Sequence, residues 1–134
     1  MKLDMECVRD ILITLDEQTD FVKMRPDELA QLLPNYSTKQ LIYTCLRLHE
    51  GNYINLRLLY PQQNSDPVLN FIGDLTFQGH EFLADIKPKS NWDKISPFLK
   101  QCGSASFETI TSVAIALGTE FLKTNLCLTS TKSI

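Results

Sequence analysis

The feature that most constrains the fold is a helix whose two ends are both marked in the sequence. Ser37 and Gln40 have the spacing of a capping box, in which the two residues satisfy each other's free backbone N–H groups. Gly51 supplies the left-handed residue that often follows a helix. An earlier short helix begins at Pro26 and is stopped by Pro34, so a tight turn separates the two helices, as in a helix-turn-helix.

An amphipathic helix is predicted before this pair, over residues 3–17, with Asp4 as its cap. Apolar residues recur there at steps of three and four, which is the spacing of one helix face. That stripe consists of Met5, Val8, Ile11, Leu12 and Leu15. The second helix is expected to bury Leu29, Leu32 and Leu33, and the residues from Thr19 to its start are interpreted as a connector.

A β-hairpin is predicted after the third helix. Residues 53–60 and 69–76 form its strands, and residues 61–67 between them are rich in turn formers. Alternation predicts an inner face of Ile54, Leu56 and Leu58 on the first strand and Leu69, Phe71 and Leu75 on the second. Thr76 is expected to cap a helix over residues 77–86.

Beyond that helix, Pro97 is expected to separate two short helical segments that end at Gly103, before a long last helix over residues 107–123. This order of elements is that of a winged helix. The predicted fold class is therefore α+β, mostly helical: a winged helix-turn-helix of three helices and a β-hairpin wing, with a C-terminal helical extension. We expect residues 1–86 to form the winged-helix domain and residues 87–134 the extension, with a tail from about residue 124 as a candidate disordered segment.

Charge and cysteine usage exclude several classes of protein. Thirteen Lys and Arg against sixteen Asp and Glu give a net charge of −3, which excludes a wholly basic nucleic-acid coat but allows a local basic patch. The four cysteines lack metal-finger spacing, so we expect reduced cysteines, no metal site and no cofactor. They are Cys7, Cys45, Cys102 and Cys127. No stretch has the pattern of a secretory signal or a membrane span, so a cytoplasmic location is expected.

Catalytic motifs are absent from the sequence, and the prediction is a protein that is not an enzyme. His49 falls within the apolar arc of the third helix and is expected to be a packed or hydrogen-bonded core residue. His80 and Glu81 lack the second histidine of a zinc-protease motif. Residues 103–106 do not form a nucleophile elbow, and no phosphate-binding glycine loop is present.

Three segments carry a resemblance to a known family: MKLDMECVRDIL, YSTKQLIYTCLRLHEGNYI and DLTFQGHEFLADI. From Met1 to about Leu122 the chain resembles an uncharacterised family of bacterial and prophage proteins, a domain of unknown function. Its members commonly begin MKLDM-x-x-VRDIL and carry a T-F-x-G-H-E-F-L segment. The resemblance implies a winged-helix N-terminal part and a phage or prophage setting, but no activity or site residue. In winged-helix regulators a similar pattern around Gly79 marks a helix that packs closely on the hairpin.

DNA binding is the leading hypothesis for function. The third helix would enter a major groove, where Lys and Arg hold phosphates or read guanine, and Gln reads adenine. The candidate contacts are Asn35 and Tyr36 in the turn, Lys39, Gln40, Tyr43, Thr44 and Arg47 on the helix face opposite its apolar arc, and Arg57 on the hairpin. The expected partner is double-stranded DNA and the expected role that of a phage or prophage transcriptional regulator.

The alternative is a protein–protein interaction module that binds a host or phage protein without binding DNA. Residues 1–34 and 64–86 are acidic, Glu50 shares a side with the candidate DNA contacts, and the hairpin turn has no positive charge. The last predicted helix either packs on its own domain or forms a two-fold dimer. The candidate dimer residues are Phe107, Ile110, Ala114, Leu117 and Phe121.

Overall fold

A computed structural model describes residues 1–63 and 65–102 of the chain. These residues form an α+β fold of five helices and one antiparallel hairpin, which confirms the predicted class at that level. The chain divides into two compact units, Met1–Glu81 and Phe82–Ile134. The predicted last helix, its candidate dimer residues and the tail lie outside the described residues. The predicted domain boundary after residue 86 stays a prediction.

The first three helices begin and end close to the predicted residues. They are α1 (Met5–Asp16), α2 (Pro26–Leu32) and α3 (Thr38–Glu50). Asp4 Oδ1 accepts a hydrogen bond from Glu6 N at 2.9 Å, and Ser37 Oγ accepts one from Gln40 N at 3.1 Å. All five residues of the predicted α1 stripe are buried. The capping residues therefore set the helix starts, and apolar periodicity sets the buried face of α1.

The hairpin consists of β1 (Ile54–Leu59) and β2 (Val68–Leu75), which pair antiparallel. One residue from a third segment of the chain joins the sheet. Met24 exchanges two backbone hydrogen bonds with Ile72, at 2.9 and 2.7 Å. Within the described residues β2 therefore lies between β1 and Met24. Met24 lies in the segment that the sequence predicts to be a connector.

The structure corrects the predicted inner face of β2. Phe71 is only half-buried, whereas Ile72 is 1% exposed and takes the predicted place of Phe71 in the core. The register between the strands shifts twice, between Ile54 and Leu56 on β1 and again between Arg57 and Leu58. A bulge of this kind breaks the alternation of side chains between two faces. Strict alternation therefore predicts the wrong apolar residue.

Two further details differ from the sequence predictions. Leu32, expected to be buried with Leu29, is 52% exposed, because α2 is short and buries only one of its residues. Gly51 follows α3 with a φ of −79°, so it is not left-handed. The left-handed residue is Asn52, with a φ of 66°. Asparagine tolerates this conformation better than most residues that carry a side chain.

The core of the first unit lies between the three helices and the inner side of the sheet. In this unit α3 packs against α1, α2 and β1, and both α1 and α2 pack against β2. Apolar residues from every one of these elements are less than 9% exposed. Burial of this apolar surface is the main favourable contribution to folding.

The helix α4 (Phe77–Ile86) begins as predicted. Thr76 Oγ1 accepts a hydrogen bond from Gly79 N at 2.9 Å and donates one to Asn52 O at 2.6 Å. A Cβ atom placed on Gly79 would overlap the Tyr53 carbonyl oxygen and lie 2.9 Å from the carbonyl carbon. A glycine is therefore required for the close approach of α4 to the start of the hairpin.

The second unit contains one continuous helix where two segments were predicted. This helix, α5 (Lys89–Cys102), includes Pro97 within it. Proline removes one backbone N–H donor from a helix. Ile95 and Ser96 beside it are buried, and we attribute the continuity of the helix to their packing. No helix in the described part of the chain is long and apolar enough to cross a membrane.

Candidate nucleic-acid interface

Three of the predicted DNA contacts lie along the outward side of α3. Lys39 and Arg47 are exposed and Tyr43 between them is half-buried. Residues four positions apart on a helix share one face, so these side chains form a single line. We call these three residues the α3 stripe.

Arg47 is held by two neighbours on its own helix. Its guanidinium nitrogen lies 2.7 Å from Glu50 Oε2, and its Cζ lies 5.2 Å from the centre of the Tyr43 ring. An exposed ion pair of this kind contributes at most about 1 kcal/mol, so a phosphate can replace the carboxylate. In the described ranges, no carboxylate forms an ion pair with Lys39.

Thr44 is not part of the outward face, and its assignment as an exposed contact is wrong. Its side chain is only 1% exposed, and its Oγ1 donates a hydrogen bond to Gln40 O at 2.8 Å. Thr44 also lowers the pKa of the Cys7 thiol of α1, against the larger rise caused by burial. Thr44 therefore packs at the contact between α1 and α3. Gln40 is half-buried, and its side-chain nitrogen donates to Asp4 Oδ2 at 3.4 Å.

Tyr36 fixes the turn before α3 to the first helix. Its hydroxyl donates a hydrogen bond to Asp10 Oδ2 at 2.6 Å. Burial and this bond both raise the pKa of Tyr36 above its ordinary value, so the hydroxyl stays protonated as a donor. The proton of this hydroxyl is thus already bonded within the protein, whereas Asn35 in the same turn is exposed.

The interior behind α3 holds two thiols that have no reactive character. Burial raises the pKa of Cys7 to about 11 and the pKa of Cys45 to about 12. Both cysteines are free. His49 is half-buried, and its Nδ1 lies 3.1 Å from Ile54 O. Within residues 1–63 and 65–97, no group of three His, Cys, Asp or Glu side chains is placed to hold a metal ion.

Arg57 lies apart from the α3 stripe, on the outer side of the sheet. It is exposed and pairs across the strands with Phe71. The Lys23 ammonium group lies 4.7 Å from the centre of the Phe71 ring. Phe21 is 91% exposed and lines a groove of about 410 Å³ together with these three residues. We call Phe21, Lys23, Arg57 and Phe71 the outer sheet face.

Sequence reasoning found only one of these four residues as a candidate for binding. Lys23 and Phe21 belong to the predicted connector, and the alternation of β2 predicts that Phe71 lies in the core. The backbone bridge of this segment to the sheet is formed by Met24, and a single bridging residue leaves no periodic pattern in the sequence.

Comparison with known proteins identifies the family. A family model described as Hypothetical protein (DUF2513) matches residues 2–106, so the chain belongs to this family. The result confirms the resemblance to a domain of unknown function, and the bacterial and prophage setting stays an expectation. A search of curated proteins finds no significant match, and neither does a search of solved structures.

Proposed function

We propose that residues 1–86 form a winged-helix domain that binds double-stranded DNA in a sequence-dependent way, with α3 in the major groove. The order α1, Met24 bridge, α2, α3, β1 and β2 supports this proposal, since a short strand before the second helix commonly completes the sheet of a winged helix. The observation that carries the proposal is the α3 stripe, which follows a tight turn and leaves two cations facing solvent.

The chemistry of the α3 stripe suits a groove contact. Lys39 and Arg47 have the side chains that bind phosphate oxygens or the acceptor edge of guanine. The hydroxyl of Tyr43 and the amide of Asn35 are suited to phosphate contacts beside them. Gln40 and Tyr36 hold the start of α3 against α1 through Asp4 and Asp10 and so position the stripe.

The charge of the stripe limits the strength of non-specific binding. Two phosphate contacts per chain predict a slope of about −1.8 in a plot of log affinity against log salt concentration. Glu50 beside Arg47 reduces the positive potential further. Tight binding then needs base-specific contacts or two copies of the domain on one site. The expected role is that of a phage or prophage regulator.

Fluorescence anisotropy with labelled duplex fragments of host and phage promoters, at low salt, tests the proposal. Lys39→Ala and Arg47→Ala should each weaken specific binding by roughly tenfold, because each removes a phosphate or guanine contact. Lys94→Ala removes the same charge from an exposed position on α5 and should change binding little. The proposal is wrong if no fragment binds below the micromolar range typical of non-specific binding, or if the two α3 variants bind like the native chain.

A protein-interaction role is the second candidate, and the end of the hairpin favours it. Leu59, Tyr60 and Val68 are 49%, 68% and 53% exposed, and none of the turn residues after them is basic. A wing that contacts DNA phosphates would be expected to carry cations there. Tyr60→Ser should abolish recovery of a stoichiometric partner from host lysate, while Phe77→Ser, which changes another exposed aromatic residue, should not.

A further inference from the structure

We propose that the outer sheet face is a docking site for an extended segment of another protein, in which carboxylate and apolar side chains alternate. The carboxylates would pair with Lys23 and Arg57, and the apolar side chains would lie against Phe21 and Phe71. This site is separate from the α3 stripe and does not depend on DNA binding.

The segment that carries Phe21 and Lys23 is held firmly to the sheet. Met24 exchanges two backbone hydrogen bonds with Ile72. Val22 N donates to Asp74 Oδ1 at 3.1 Å, and Phe21 N donates to Asp20 Oδ1 at 2.7 Å. The backbone on the C-terminal side of Phe21 is therefore anchored to β2, while 91% of the surface of Phe21 stays exposed. A preformed site loses less entropy on binding than a mobile one.

The groove brings two cationic side chains together on a chain whose net charge is −3. Among the residues that the structure describes, its lining includes two cations, Lys23 and Arg57, and no acidic residue. Asp20 and Asp74 lie next to the groove. One carboxylate oxygen of Asp20 accepts a hydrogen bond from Phe21 N, and one of Asp74 accepts a hydrogen bond from Val22 N. The remaining lining is largely apolar. Its complement is therefore a ligand that carries both negative charge and apolar surface.

An extended peptide fits this lining better than a single strand of nucleic acid. Proteins that bind single strands without sequence preference stack successive bases on aromatic rings. Here the Lys23 ammonium already lies over the Phe71 ring, and Phe71 is half-buried. Phe21 alone has a fully accessible ring. A leucine or phenylalanine side chain, by contrast, packs against a ring edge without stacking.

The test uses the full chain and a short fluorescent peptide that alternates glutamate with leucine and phenylalanine. Its control is the same peptide with glutamine in place of glutamate. The glutamate peptide should bind saturably and more tightly than the glutamine peptide. Lys23→Glu and Arg57→Glu should each weaken it by at least about fivefold, since an exposed ion pair is lost and a like charge is added. Phe21→Ser should weaken both peptides.

Two matched variants separate this proposal from the DNA-binding proposal. Lys94→Glu makes the same charge change on α5 and should leave peptide affinity unchanged. Lys39→Glu should weaken DNA binding and leave peptide binding unchanged, so either proposal can fail alone. Circular dichroism melts should show that every variant folds.

Three results would overturn the docking proposal. Equal affinity for the glutamate and glutamine peptides would remove the role of the two cations. Tighter binding of single-stranded oligothymidine that is lost in Lys23→Glu and Phe21→Ser would assign the face to nucleic acid. A concentration-dependent dimer in sedimentation, abolished by Arg57→Glu, would assign it to a second copy of this chain.

Discussion

The α3 stripe and the outer sheet face use similar residues in different ways. Each has two cations beside an aromatic ring. In the stripe, all three side chains come from one helix, and Glu50 of that helix pairs with Arg47. In the outer sheet face, the side chains come from three segments, and no acidic residue of the described part of the chain lines the groove. A surface on one helix can be predicted from helical spacing, whereas a surface assembled from distant segments cannot.

The largest expected effect is a fall in the free energy of unfolding at high pH. It arises from the two thiols that are buried behind the α3 stripe. Thiols in the unfolded chain ionise near pH 9.0, whereas the pKa is about 11 for Cys7 and about 12 for Cys45 in the folded chain. Stability is therefore intact below pH 9 and falls as pH rises toward 11, because only the unfolded state loses protons there. The loss is up to about 1.4 kcal/mol for each pH unit and each thiol.

Urea unfolding at a series of pH values between about 8 and 11 measures this loss. The variant with both Cys7→Ala and Cys45→Ala is less stable near pH 8, because each change leaves a cavity. Its free energy of unfolding should nevertheless depend less steeply on pH. An equal slope in the two proteins would show that the thiols do not carry the effect.

The next largest effect is expected for Gly79→Ala. Gly79 lies on α4, at the point where this helix contacts the connection between α3 and the hairpin. Alanine in place of a helical glycine ordinarily stabilises a protein by up to about 1 kcal/mol. Here the new methyl group would overlap the Tyr53 carbonyl, and Tyr53 joins α3 to β1. We expect a loss of about 2–3 kcal/mol, typical of overpacking, and weaker binding at both surfaces.

Thermal unfolding followed by circular dichroism measures the effect of Gly79→Ala. Glu81→Ala, at an exposed position of the same helix, provides the control and should change the midpoint little. A Gly79→Ala chain as stable as the native one would show that α4 can move away from Tyr53 at little cost.

Most elements of the fold could be predicted from local signals. Asp4, Ser37 and Thr76 each accept the expected backbone hydrogen bond at a helix start. The errors occur where packing between elements overrides a local rule. The bulged register places Ile72 rather than Phe71 in the core, and Pro97 lies within a continuous helix.

The candidate site could be predicted less well. Helical spacing placed Lys39 and Arg47 on the exposed side of α3 correctly. It also placed Thr44 there, since an angle around the helix does not reveal where α1 lies. The contact of Lys23 with Phe71 follows from the pairing of Met24 with Ile72, which depends on the whole fold.

The smallest expected effect is that of Thr44→Val, which tests whether Thr44 lies outside the DNA-binding surface. Thr44→Val keeps the side-chain shape and removes the hydroxyl that donates to Gln40 O. It should lower stability by about 1 kcal/mol, as for the loss of one hydrogen bond, and leave DNA affinity unchanged. Thr14→Val is a matched control, because Thr14 makes the same kind of bond to Asp10 O at 2.7 Å on α1. A tenfold loss of DNA affinity in Thr44→Val but not in Thr14→Val would show that Thr44 takes part in DNA binding.

The bridge between Met24 and Ile72 also bears on the order of folding. Val22 and Asp74 beside it are 52 positions apart, so a long loop must close before these bonds form. Contacts among the helices α1 to α3 close shorter loops than this one. During synthesis the segment around Met24 leaves the ribosome well before its partner strand and stays unpaired in the meantime. The outer sheet face can therefore assemble only after β2 has been synthesised, and a ribosome-stalled chain that ends before β2 would lack it.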